Sequence, residues 1–69
     1  QISAEDEERQ ARALAQKKVR EVKEPPADRA EYDKALRRVV GVLARRGYSS
    51  ELTMRVARSE LKARIESFD

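Results

Sequence analysis

The sequence predicts an all-α fold in which three helices are joined by short connections. Ala, Glu, Lys, Leu and Arg account for 40 of the 69 residues, a composition typical of helical proteins. Pro25-Pro26 and Gly47 divide the chain into three segments, and the apolar residues of each segment recur at helical spacing. The run of β-branched residues over 39–42 lies inside one of these helical periods, so it does not predict a strand.

We predict the first helix over about residues 4–23. Ser3 is placed to cap its N-terminus, and the acidic run from Glu5 to Glu8 fills the first turn, where the helix dipole favours negative charge. The apolar stripe of this helix is narrow and rich in alanine, so we expect the helix to lie close against a partner. The stripe consists of Ala11, Leu14, Ala15, Val19 and Val22.

The second helix is predicted over about residues 29–46. Asp28 and Glu31 form a capping pair at its start, and Gly47 follows its end, where a left-handed residue is favoured. Gly41 costs about 1 kcal/mol relative to Ala inside a helix, and we expect it to let another helix approach closely. The apolar face is the broadest of the three, so we expect this helix to be central. That face consists of Tyr32, Ala35, Leu36, Val39, Val40, Leu43 and Ala44.

The third helix is predicted over about residues 50–67, with Ser49 as its N-cap. The connection to the second helix is so short that the two helices should pack as neighbours. We expect Gly47, Tyr48 and Ser49 to form this corner, with Tyr48 lying between the helices and fixing their angle. The predicted apolar face consists of Met54, Ala57, Leu61, Ile65 and Phe68, flanked by Leu52 and Val56.

The composition argues against several classes of function. The chain has no Cys and no His, so it lacks disulfides, thiolate zinc sites, the commonest general base and the commonest metal ligand. We therefore expect a protein that is not an enzyme and binds no cofactor or metal. The carboxylates of residues 5–8 point around the helix rather than toward one point, which favours a solvated helix start.

The size and apolar content predict a single module taken from a longer chain. Leu, Ile, Val and Phe together number only 14, and domains this small usually need additional support. The sequence also begins with Gln rather than Met. We expect residues 1–69 to be the C-terminal fragment of a longer protein. The absence of Cys and of a long apolar run favours a cytoplasmic location.

Positive charge is concentrated in the second half of the chain. Residues 1–33 hold 7 basic and 9 acidic residues, whereas residues 34–69 hold 9 basic and 4 acidic residues. Arg outnumbers Lys by 11 to 5, and Arg forms bidentate contacts with carboxylates and phosphates. These residues are either ordinary solvated helix faces or a contact surface for an acidic protein or nucleic acid. The candidate contact residues are Arg37, Arg38, Arg45, Arg46, Arg55 and Arg58.

The most distinctive stretch is Leu43-Ala44-Arg45-Arg46-Gly47-Tyr48-Ser49, followed by a helix that contains Glu51-Leu52. This stretch resembles the repeat of the RecX family, which regulates the bacterial recombinase RecA. The upstream order of a helix, a proline-containing gap and a basic helix also resembles that repeat. The resemblance covers about residues 5 to 61, and Tyr48 stands where the family commonly has Phe.

The resemblance implies a specific function. RecX proteins are arrays of three-helix repeats that lie in the groove of the RecA filament on DNA and suppress its ATPase and strand-exchange activities. They are cytoplasmic, are not enzymes and bind no cofactor. The chain would then be one repeat of a helical array, with the RecA filament as its partner and DNA as a further contact of the basic face. Two alternatives stay open, namely a stand-alone basic module that binds nucleic acid and a structural repeat whose function lies upstream.

Overall fold

Three α-helices account for most of residues 4–68, which are the part of the chain described by the computed structural model. α1 spans Ala4–Val19, α2 spans Arg29–Arg45 and α3 spans Ser50–Glu66. The predicted three-helix, all-α organisation is therefore confirmed. Ser3, the predicted N-cap of α1, lies outside the described residues.

The two predicted N-caps at α2 and α3 are present. The Asp28 carboxylate accepts a hydrogen bond from the backbone N–H of Glu31 at 2.9 Å, and the Glu31 carboxylate accepts one from the backbone N–H of Ala27 at 2.8 Å. The Ser49 hydroxyl oxygen accepts a hydrogen bond from the backbone N–H of Leu52 at 3.2 Å. These bonds satisfy backbone donors that have no partner within the helix.

α1 ends at Val19, four residues before the predicted end at position 23. The backbone N–H groups of Glu21 and Val22 donate to the carbonyl oxygens of Lys18 and Val19, each at 3.0 Å. This three-residue spacing tightens the last turn and closes the helix. The prediction was wrong because Val22 continues the apolar period without being helical. The two prolines that follow also disfavour a helical conformation of the chain before them.

The core lies between all three helices, and α3 contributes the largest share of it. The expectation that α2 is central was wrong, since only Val39 and Leu43 of that helix are buried and Ala44 is exposed. Each helix packs against the other two, but the contact between α1 and α3 is more extensive than either contact of α2. The buried residues outside α2 are Ala11, Ala15, Val19, Leu52, Thr53, Val56, Ala57 and Leu61.

The two glycines have different roles. Gly47 has a φ of +90°, and its N–H donates to the carbonyl of Ala44 at 3.0 Å, so it ends α2 as predicted. A Cβ atom placed on Gly41 would meet nothing within 4 Å. The expectation that Gly41 permits a close helix approach was therefore wrong, because no other helix of the described range 4–68 lies against that position.

Candidate functional site

A stripe of basic side chains occupies the outer side of α2. Lys34, Arg37, Arg38 and Arg45 are exposed, and their helical spacing places them away from the buried Val39 and Leu43. Arg46, the C-cap residue, continues the stripe and is also exposed. We call these five basic residues the α2 basic stripe.

The side chains of the α2 basic stripe form no hydrogen bond, ion pair or ring contact within residues 4–68. The nearby acidic residues are engaged elsewhere, since Asp33 pairs with Arg29 at 3.1 Å and Glu31 accepts a hydrogen bond from the backbone of Ala27. The charge of the stripe is therefore not neutralised by the fold. An exposed, unpaired group of guanidinium ions is suited to a carboxylate or phosphate partner.

The α2 basic stripe ends at the corner between α2 and α3. Gly47 reverses the chain direction, Tyr48 is half-buried against the core and Ser49 caps α3. Gly47 and Ser49 have the turn and capping geometry that the sequence predicts, and Tyr48 packs against the core. Arg45 and Arg46 have no role in this packing, because both are exposed immediately before the turn.

Arg55 and Arg58 lie on the outer side of α3, apart from the α2 basic stripe. The Arg55 guanidinium pairs with a Glu8 carboxylate oxygen at 2.8 Å, so it holds α3 to α1. Arg58 is exposed, and it has no partner among residues 4–68. The six predicted contact residues are thus divided between two helices, and one of them is engaged in the fold.

Sequence reasoning missed the ionic network to which Arg55 belongs. Arg12 donates to Glu60 at 2.9 Å and pairs with Glu8 at 3.2 Å. The hydrogen bond to Glu60, together with the bond and charge of Glu8, raises the pKa of Arg12, so this guanidinium stays protonated. The i, i+4 spacing of Glu8 and Arg12 could have revealed one of these pairs. It follows that Glu8 belongs to a tertiary network rather than to a merely solvated helix start.

A groove opens beside the α2 basic stripe. It lies where the end of α1, the proline-containing linker and α2 meet, and Lys34 and Arg38 form part of its rim. Arg55 instead lines a separate cleft between α1 and α3, together with Arg12. Four of the six predicted contact residues therefore lie together in the α2 basic stripe, and the other two lie on α3.

Residues 4–68 contain no group of three or more side chains placed to hold a metal ion. Within the same range, no helix is both long enough and apolar enough to cross a membrane.

The chain is similar to proteins of one family. The family described as "RecX, third three-helix domain" matches residues 5–57. The regulatory protein RecX of Corynebacterium efficiens is 58% identical over 66 residues, covering 96% of this chain and 31% of that protein. The regulatory proteins RecX of Streptomyces coelicolor and Streptomyces lividans are each 44% identical over 62 residues, covering 90% of this chain and 30% of theirs. No solved structure matches the chain. The chain thus spans about a third of the length of these curated relatives.

Proposed function

The chain belongs to the RecX family, and on that premise we propose that it is a module that binds the RecA filament on DNA. Its binding contributes to the inhibition of the ATPase and strand-exchange activities of the filament. The module acts by binding in the cytoplasm, without a cofactor and without catalysing a reaction.

The observation that carries this proposal is the α2 basic stripe. Exposed basic side chains are commonly solvated without a carboxylate partner. What distinguishes this stripe is that five basic residues lie together along one side of α2 and its C-cap, and none has a partner within residues 4–68. The groove of a filament formed on DNA offers both phosphates and acidic side chains. Arginine forms bidentate contacts with either group, and such contacts are stronger than neutral hydrogen bonds.

The proposal is tested by removing four charges from the stripe. Replacing Arg37, Arg38, Arg45 and Arg46 with Ala should strongly reduce co-sedimentation of the chain with RecA–DNA filaments, because these guanidinium groups make the contacts. Binding by the unaltered chain should itself be weak, since one module has a small footprint and no avidity from linked repeats. Helicity should be unchanged, because all four side chains are exposed.

The matched control removes four charges elsewhere. Arg9, Lys17, Arg58 and Lys62 are also exposed, but they lie on α1 and α3. Replacing these four with Ala changes the net charge equally and should leave most of the binding intact. Equal losses in the two variants would show that only net charge matters, which would remove the assignment of the contact surface to α2.

A second candidate function is binding to nucleic acid without a protein partner. The sequence pI of about 9.6 and the unpaired arginines of the stripe favour it. Contacts with phosphates release counterions, so this function requires binding to naked DNA that falls steeply with salt. Absence of binding to naked DNA at low salt would eliminate this candidate and leave the filament as the partner.

A further inference from the structure

The groove beside the α2 basic stripe has an apolar floor. Its volume is about 280 Å³, and its floor includes Val22 from the linker and Ala35 and Val39 from α2. Val39 is buried, and the other two residues are half-buried. A concave apolar surface with polar groups at its rim is the usual form of a binding site.

The linker wall of this groove is held in place by side chains on several elements. Arg64 of α3 donates two hydrogen bonds to the carbonyl oxygen of Val22, from Nε at 3.1 Å and from Nη2 at 2.9 Å. Lys18 pairs with Glu21 at 3.0 Å at the end of α1. Because the wall is already ordered, a ligand would not have to order it, and binding would cost less free energy.

The unpaired charges at the rim have opposite signs on the two sides. Lys34 and Arg38 stand on the α2 side, and neither has a partner within residues 4–68. Glu24 stands on the linker side. The other two carboxylates of the lining are engaged, since Glu21 pairs with Lys18 and Glu31 of α2 accepts a hydrogen bond from the backbone of Ala27. A nucleic acid strand in the groove would bring its phosphates near these carboxylates. None of the described residues that line the groove is aromatic, so the groove has no platform for base stacking.

We propose that this groove binds a peptide segment of a protein partner that places an apolar side chain on the floor and a neighbouring carboxylate against Lys34 and Arg38. The inference rests on the proposed function, and it assigns the groove to the protein subunits of the filament rather than to the DNA. The floor would shield the apolar side chain from water, and the two cations would fix the orientation of the segment.

The test compares charge reversal at two adjacent arginines. Arg37 and Arg38 are both exposed and unpaired within the described residues, but only Arg38 lines the groove. Arg38→Glu should weaken binding to RecA–DNA filaments by about tenfold or more, because the rim would then repel a carboxylate, whereas Arg37→Glu should cost about threefold or less. Binding to a naked single-stranded oligonucleotide should fall equally in the two variants.

A second variant tests the apolar floor without changing any charge. Ala35→Met keeps a good helix former and fills part of the groove. It should reduce filament binding while leaving oligonucleotide binding unchanged. Circular dichroism and thermal unfolding of each variant would show that the fold is retained, and a substitution at position 35 that unfolds the chain leaves the comparison of Arg37 and Arg38 as the test.

The outcomes separate this inference from the proposed function. Equal losses of filament binding in Arg37→Glu and Arg38→Glu would overturn the inference and leave the proposed function standing. A loss of oligonucleotide binding specific to Arg38→Glu would overturn it in favour of DNA. Self-association that Arg38→Glu abolishes would overturn it in favour of a second copy of the chain. An unaltered chain that does not bind filaments at all would overturn the proposed function itself.

Discussion

At the scale of single residues, Thr53 is the clearest departure from ordinary packing. The residue is 2% exposed, and its hydroxyl oxygen has no hydrogen-bond partner among the described residues. A buried hydroxyl without a partner costs about 1–3 kcal/mol of desolvation. The sequence pattern did not predict this residue as part of the core, because a threonine does not contribute to an apolar period.

Replacing Thr53 with Val should therefore stabilise the fold. Val has nearly the same shape and no hydroxyl, so we expect the free energy of unfolding to rise by about 1 kcal/mol, measured by urea or thermal unfolding. Thr53→Ser is the control, since it keeps the hydroxyl and loses a methyl group, and it should be destabilising. A lower stability of Thr53→Val than of the unaltered chain would mean that the hydroxyl has a partner in solution.

At the scale of elements, replacing a glycine with alanine should have opposite effects on the free energy of unfolding at two positions. Gly41 lies inside α2, and Gly47 lies at the corner after it. Gly41→Ala should raise the free energy of unfolding by about 0.5–1 kcal/mol, because the site is helical and a Cβ meets nothing within 4 Å. Gly47→Ala should lower it by about 1–2 kcal/mol, because the φ of +90° is strained for any residue with a Cβ. Chemical denaturation of both variants checks this pair, and a gain of stability at both positions would contradict the role of Gly47 in the corner.

Much of the element structure could be predicted, because caps and turns are local. Asp28, Gly47 and Ser49 act on residues within one helical turn, so the sequence contained nearly all the information that places α2 and α3. The end of α1 was predicted wrongly because Val22 belongs to the apolar surface of the fold but not to a helix. An apolar period indicates which residues face the core, but it does not indicate where the backbone stops being helical.

At the scale of the whole molecule, the arginines fall into two groups that the sequence did not separate. Some join distant parts of the chain, and others have no partner among the described residues. The contact of Arg12 with Glu60 joins residues 48 positions apart, and Arg64 reaches Val22 across 42 positions. Neither contact follows from local spacing, so the division between structural arginines and unpaired arginines required the packing of all three helices. The sequence therefore showed which residues of the candidate site are basic. It did not show that their side chains have no partner within residues 4–68.

This division of charge defines the central claim, which is that the outer side of α2 contacts the filament. The outer side of α3 carries Arg55 and Arg58, but Arg55 is bound to Glu8. Net positive charge alone does not distinguish α2 from α3. The unpaired basic residues and the groove favour α2 and the linker as the contact surface.

The most direct test is a cross-saturation NMR measurement on the ²H,¹⁵N-labelled chain mixed with unlabelled RecA–DNA filaments. Saturation of the filament protons spreads to amide protons of the chain that lie against the filament, and dissociation carries the effect into the signals of the free chain, so the method detects weak binding. We predict the largest losses of intensity at residues 34–46, along α2 and its C-cap, and at residues 18–26 beside the groove, while residues 55–62 of α3 are least affected. Losses centred on Arg55 and Arg58, or signals that the filaments leave unchanged, would contradict a contact surface on α2.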